Sequence, residues 1–212
     1  MQYQAVIFDL DGVICFTDEY HYLAWKALAD KLRIPFDRTV NNRLRGVSRM
    51  ASLEIVLEAY NGPALSEEEK QALAEEKNNI YRESLKLMST ADLSAEVKET
   101  LDELRARGYL LAIGSSSKNT PFILRQIGLE GYFDAVSDGN NITHSKPDPE
   151  VFLKAAEMLN LEPAVCLVVE DAVSGAEAAH RGGMKAACVG DASKNSAGDY
   201  NLNAVRDLLK IL

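Results

Sequence analysis

The chain has 212 residues, 47% of them hydrophobic and 26% charged. That is enough apolar material for one large domain, or for a core domain carrying a smaller insert. The net charge of −9 speaks against sequence-independent nucleic-acid binding, which needs clustered cations to neutralise phosphates.

The first element predicted is a strand, Ala5–Phe8, apolar on both faces and cut off abruptly at Asp9. From about Phe16 to Met88 there is no strand pattern. Helical periodicity there predicts helices near Glu19–Leu32, Asp37–Arg45, Ser48–Tyr60 and Ser66–Leu85. Ser66 and Glu69 open the last as a capping box. Helices and strands then alternate: helix Glu96–Arg107, strand Leu110–Gly114, helix Asn119–Ile127, a weaker strand Phe133–Val136 and helix Glu150–Leu159. Strand Cys166–Val169, helix Val173–Arg181 and strand Lys185–Gly190 follow. This rhythm predicts an α/β fold, a doubly wound parallel sheet of Rossmann-like type, interrupted after its first strand by an all-helical cap. The expected division is a core of residues 1–15 and 89–212 and a cap of residues 16–88.

Cys15, Cys166 and Cys188 are too few and too scattered for a disulfide framework or a zinc site. Cys166 and Cys188 sit in apolar runs and read as small core residues. The opening MQYQAVIFDLDG has neither the basic start nor the long apolar stretch of a signal peptide. No apolar run approaches the ~20 residues of a membrane helix. A cytoplasmic monomer with no membrane or nucleic-acid partner is expected.

In open parallel sheets ligands bind beyond the carboxyl ends of the strands. Here those ends are chemically loaded. The first strand delivers Asp9 and Asp11; the second delivers Ser115, Ser116 and Ser117, followed by Lys118 and Asn119. The weaker third strand leads to Lys146, and the fourth delivers Glu170 and Asp171. Asp9, Glu170 and Asp171 supply hard oxygen ligands of the kind Mg²⁺ takes together with water and phosphate oxygens. Lys146 neutralises charge on a transferring phosphoryl group, and Ser115 beside a helix N-terminus holds phosphate oxygens. An aspartate beside such a cation can attack phosphorus. Asp11, two residues on, is placed to act as general acid and base.

These four motifs, in this order, resemble the haloacid dehalogenase superfamily over nearly the whole chain. The resemblance implies that Asp9 is the nucleophile, Asp11 the acid/base, and Asp9, Asp11, Glu170 and Asp171 the Mg²⁺ site. Within it, the segments around Glu19-Tyr20-His21, Ala24–Leu28, Gly46-Val47-Ser48-Arg49, Lys77-Asn78, Ser115–Asn119 and Gly131–Asp134 resemble the β-phosphoglucomutase family. That likeness implies interconversion of β-glucose 1-phosphate and glucose 6-phosphate through a sugar bisphosphate. It gives His21, Gly46, Val47, Ser48, Arg49, Lys77, Ser115, Ser116, Ser117, Lys118, Asn119 and Lys146 substrate-side roles, with His21 and Lys77 coupling cap closure to Asp11. Two phosphates call for two cationic sites, Arg49 with Lys118 forming the distal one. A sugar-phosphate phosphatase of the same superfamily is the alternative. A phosphonate hydrolase fits less well, since its cap lysine has no counterpart in Arg43–Leu57. Phe16 departs from the pattern, standing where the family commonly has an aspartate.

Overall fold

A computed structural model describes residues 2–44 and 47–212. Six parallel strands form one sheet in the order β3-β2-β1-β4-β5-β6. They are β1 (Ala5–Phe8), β2 (Leu110–Gly114), β3 (Ala135–Ser137), β4 (Cys166–Glu170), β5 (Lys185–Cys188) and β6 (Tyr200–Asn201). The order reverses beside β1, and a reversal of this kind leaves a crevice at the carboxyl ends of the strands.

The sheet has two unlike faces. Side chains alternate along each strand, so Val6 and Phe8, Leu111 and Ile113, and Leu167 and Val169 point to one side, into a cluster rich in bulky residues. Ala5, Ile7, Ala112, Cys166, Val168, Ala186 and Cys188 point to the other. That second face is mostly small, which lets α7 (Glu150–Met158) and α8 (Val173–Arg181) lie close to the strands. The last residue of β2, Gly114, shows how close: a Cβ there would fall 2.6 Å from the Phe152 ring. All three cysteines are free and buried, Cys166 and Cys188 as their apolar runs predict.

Of the five α-helices described between β1 and β2, the first four are α1 (Asp18–Lys31), α2 (Arg38–Asn42), α3 (Arg49–Leu57) and α4 (Glu67–Leu85). Asp37 caps α2 through the Val40 amide, Ser48 caps α3 through Ala51, and Ser66 with Glu69 closes the expected capping box on α4. Each such cap contributes about 1 kcal/mol. These helices share a cluster of their own, including Trp25, Leu28, Phe36, Leu53, Val56 and Ala74. The division is not clean, because Ala24 on α1 and Tyr81 and Leu85 on α4 join the sheet's bulky cluster instead.

After α5 (Ala95–Ala106) and β2 comes α6 (Thr120–Gln126). Most boundaries agree with the sequence reading within one or two residues. The third strand is Ala135–Ser137 rather than Phe133–Val136: Phe133 packs into the bulky cluster, and Asp134 accepts the Leu111 amide and pairs with Arg105. Lys185–Gly190 ends as a strand at Cys188, and α9 (Gly190–Lys194) begins two residues later. Arg45, placed in the second helix, and Gly46, assigned to the substrate, lie outside the described residues. No described helix is long and apolar enough to cross a membrane.

Candidate active site

Every expected site residue apart from Gly46 lines one cavity of about 740 Å³ between the carboxyl edge of the sheet and helices α1, α3 and α4. Its floor is a buried charge cluster. Asp9 follows the last residue of β1, and its amide is held by the Val169 carbonyl of the neighbouring strand. The Lys146 ammonium donates to Asp9 Oδ1 and, at 2.6 Å, to Glu170 Oε1. The other Glu170 oxygen accepts the Ala172 amide at 2.9 Å. Burial raises the Asp9 carboxyl well above the usual carboxylate range, against the pull of Lys146, and the charges of Glu170 and Asp171 add to the rise. Burial would lower the Lys146 ammonium, but Asp9 and Glu170 outweigh it and hold the lysine charged.

Two buried carboxylates, Asp9 and Glu170, share the Lys146 ammonium, and the Asp171 charge adds to the load on Asp9. A carboxylate can act as a nucleophile or metal ligand only when ionised, and burial works against ionisation at Asp9, so the oxygen donor set suits a hard divalent cation. The packing agrees. Gly12 has φ +84°, and a Cβ on it would lie 2.2 Å from Asp171 Oδ2. Gly175 has no side chain where one would fall 1.9 Å from Glu170 Oε1. Both carboxylates are therefore seated against bare backbone. Gly12→Ala is expected to strain the positive-φ turn and displace Asp171 together. A magnesium titration of activity should show the midpoint rising about 10- to 100-fold.

Asp11 sits apart from this floor. Its Oδ1 accepts both the amide and the hydroxyl of Thr17, the residue that leads into α1. Its Oδ2 lies 3.7 Å from His21 Nε2. His21 Nδ1 is 2.8 Å from Lys77 Nζ, and the His21 ring stacks on Tyr81 at 4.0 Å. Burial and the nearby Arg49 charge lower Lys77 to about 7. Burial and Lys77 hold His21 below its ordinary value. A lysine donating into Nδ1 leaves the imidazole proton on Nε2, facing Asp11. A polar chain thus runs from α4 through α1 to the Asp11 carboxylate.

The far wall carries the second cationic group. Arg49, at the start of α3, pairs with Glu75 at 3.1 Å. Lys118 and Asn119 stand opposite on the sheet side, and the Asn119 amide group donates to Asn78 Oδ1 at 3.1 Å, joining the two layers. The Ser115 and Ser117 hydroxyls accept backbone amides of the same loop, while buried Ser116 Oγ has no partner among the described residues. Ser48 spends its hydroxyl on capping α3, and Val47 packs against the helical cluster.

Sequence reasoning did not assign Tyr81, Asn78 or the position of Phe16. The signal for the first two was present. The buried stripe of α4 runs Ala74, Lys77, Asn78, Tyr81, Leu85. Two polar residues on an otherwise apolar helical stripe need partners, and the partners are His21 and Asn119. Phe16 is 71% exposed and forms part of the cavity wall.

The haloacid dehalogenase-like hydrolase model matches residues 3–183. The chain belongs to this family. Among haloacid dehalogenase-like proteins it is 40% identical to the β-phosphoglucomutase of Bacillus subtilis, over 97% of this chain and 91% of that one. It is 33% identical to a phosphorylated carbohydrates phosphatase of Thermotoga maritima, over 86% and 82%. In structure it superimposes on a β-phosphoglucomutase of Clostridium difficile with a TM-score of 0.90 at 35% identity, covering 97% of this chain and 93% of that one. The protein is accordingly an enzyme of the haloacid dehalogenase superfamily, with mutases and phosphatases among its relatives.

Proposed function

We propose that the enzyme is a β-phosphoglucomutase, interconverting β-D-glucose 1-phosphate and glucose 6-phosphate through glucose 1,6-bisphosphate. The supporting observation is that one cavity holds two separate cationic ends, Lys146 at Asp9 and Arg49 with Lys118 opposite. A phosphatase needs only the first. A mutase must grip a second phosphate while the first is transferred.

The Asp9 carboxylate attacks one phosphorus of glucose 1,6-bisphosphate and the bond from that phosphorus to the sugar oxygen breaks, giving an aspartyl-phosphate and a sugar monophosphate. Asp11 delivers the proton that the leaving oxygen needs. In the second half Asp11 takes the proton from the free hydroxyl of a glucose monophosphate as that oxygen attacks the phosphoryl group, which releases Asp9 and re-forms the bisphosphate. Lys146 balances charge at the phosphoryl oxygens, and the Ser115–Asn119 loop orients them. Asp9, Asp11, Glu170 and Asp171 are the proposed ligand set for Mg²⁺, which would supply positive charge beside the buried Asp9 carboxyl. Asp11 is drawn off toward Thr17 and His21, so the Lys77–His21 chain is the proposed route by which closing the helical layer readies it. Helices α1–α4 are proposed to act as the cap, covering residues 16–88.

The deciding experiment is a coupled assay with β-glucose 1-phosphate, Mg²⁺ and catalytic glucose 1,6-bisphosphate, run beside a phosphate-release assay. Glucose 6-phosphate without free phosphate supports the mutase. Free phosphate as the main product supports the sugar-phosphate phosphatase, the second reading, which the Thermotoga relative favours. Arg49→Ala is expected to lower mutase kcat/KM on the order of a hundredfold, by losing a charge-assisted phosphate contact. Hydrolysis of a single-phosphate aryl ester should fall far less; equal losses would count against a distal phosphate site.

A further inference from the structure

A second cavity, of about 530 Å³, opens beside the first along the seam between α4 and α6, and Arg49, Lys118, Asn78 and Asn119 belong to the walls of both. Two cations belong to the outer cavity alone: Arg82, one helical turn beyond Asn78, and Arg125 on α6. In a chain of net charge −9, four cations line one opening whose walls, among the described residues, carry Glu75 and Glu130 as their only carboxylates. Glu75 is already committed to Arg49.

The arginines here are unlike most others. Arg38, Arg43, Arg105, Arg107 and Arg181 each have a carboxylate partner. Among the described residues Arg82 and Arg125 have none. Arg125 is oriented instead by the Phe122 ring, 5.2 Å from its guanidinium carbon. The Arg82 charge opposes that of Arg49, already lowered by burial. Unpaired like charges held together in a concave wall raise the local concentration of anions. Planar guanidinium groups match phosphate oxygens in particular.

We propose that this seam cavity is an outer binding site for a phosphate monoester, built by Arg82 and Arg125 onto the distal wall of the catalytic cavity. It receives the phosphate of an incoming sugar phosphate before that group passes inward to Arg49 and Lys118. It rests on the phosphoryl-transfer reading of the inner cavity. In a mutase it has a further use: with a single nucleophile, Asp9, a bisphosphate must turn end for end, and an outer grip on one phosphate keeps it from being lost.

The test is the double variant Arg82→Gln/Arg125→Gln, with Arg82→Lys/Arg125→Lys as the charge-preserving control and melting temperatures to show that both fold. For the glutamine variant kcat/KM toward β-glucose 1-phosphate is expected to fall about tenfold at low salt with kcat retained, and its ionic-strength dependence to flatten. The lysine variant should recover most of the loss. Inorganic phosphate, titrated calorimetrically, should occupy one site fewer on the glutamine variant than on the wild type. Unchanged kcat/KM and phosphate stoichiometry would overturn the proposal, as would a fall in kcat with KM unaltered. Failure of the mutase reading looks different: wild type and variants alike would release phosphate, and the same comparison then applies to the hydrolytic rate.

Discussion

Asp9→Asn is expected to abolish turnover, by about four orders of magnitude or more, while the protein stays folded. The substitution keeps the shape of the side chain and removes the oxygen nucleophile. Lys146 retains Glu170 at 2.6 Å, so the buried ammonium is not stranded. The crowding of Asp9 with Glu170 and Asp171 is relieved at the same time, which offsets part of the lost Lys146 contact. The melting temperature should therefore move little. Intact-protein mass spectrometry after exposure to glucose 1,6-bisphosphate should show no phosphoenzyme. Asp11→Ala gives the contrasting result: the aspartyl-phosphate still forms, but turnover slows by about 10²–10⁴-fold for want of a proton donor and acceptor. A wild-type rate in the Asp9 variant would end the covalent scheme.

Lys146→Met is expected to unfold more easily by about 3–5 kcal/mol, because it leaves buried carboxylates without their cation. Its pH dependence should identify the cause. Burial already raises Asp9, and Lys146 is what opposes that rise. Without the lysine, the folded-state pKa lies further above the unfolded value. A raised acid binds more protons folded than unfolded, so stability is fully present below the unfolded carboxylate pKa. It is then lost as pH climbs toward the folded pKa. The variant's deficit against wild type should thus be small in acid and grow toward neutrality, in denaturant titrations at a series of pH values. Millimolar Mg²⁺ should recover part of the deficit by binding only the folded form, and a chelator should remove that gain. A pH-independent deficit would point to lost packing against Phe152, whose ring lies 4.7 Å from the ammonium.

Much of this architecture is legible in the chain because the physics is local. Ala5–Phe8 and Leu110–Gly114 are apolar runs of strand length that stop at polar residues, and both strands occupy those bounds. The four motifs could be read as one site because a parallel sheet puts every strand's carboxyl end on the same edge. What escaped was set by tertiary contact. β6 is two residues, half-buried Tyr200 and exposed Asn201, held by pairing with β5, and no pattern of two residues marks a strand. The third strand slipped because Phe133 is apolar for packing, not for pairing. Asp11 read as general acid and base from its place two residues after Asp9; its ties to Thr17 and His21, made by residues six and ten positions away, were not legible. The residue types that gather in the cavity were readable; where the Asp11 side chain points was decided by Thr17 and His21.

The two long helices α1 and α4 each contribute to both apolar clusters. Ala24 and Tyr81 sit with the sheet, while Trp25 and Ala74 sit one step away with the helices. A wide swing of the helical layer would wet Ala24, Tyr81 and Leu85, so admission of substrate is better served by a shallow tilt than by a hinge thrown open. Each catalytic cycle would then hydrate and re-dry a small patch of greasy surface. Calorimetry of ligand binding at several temperatures would register this as a modest negative heat-capacity change.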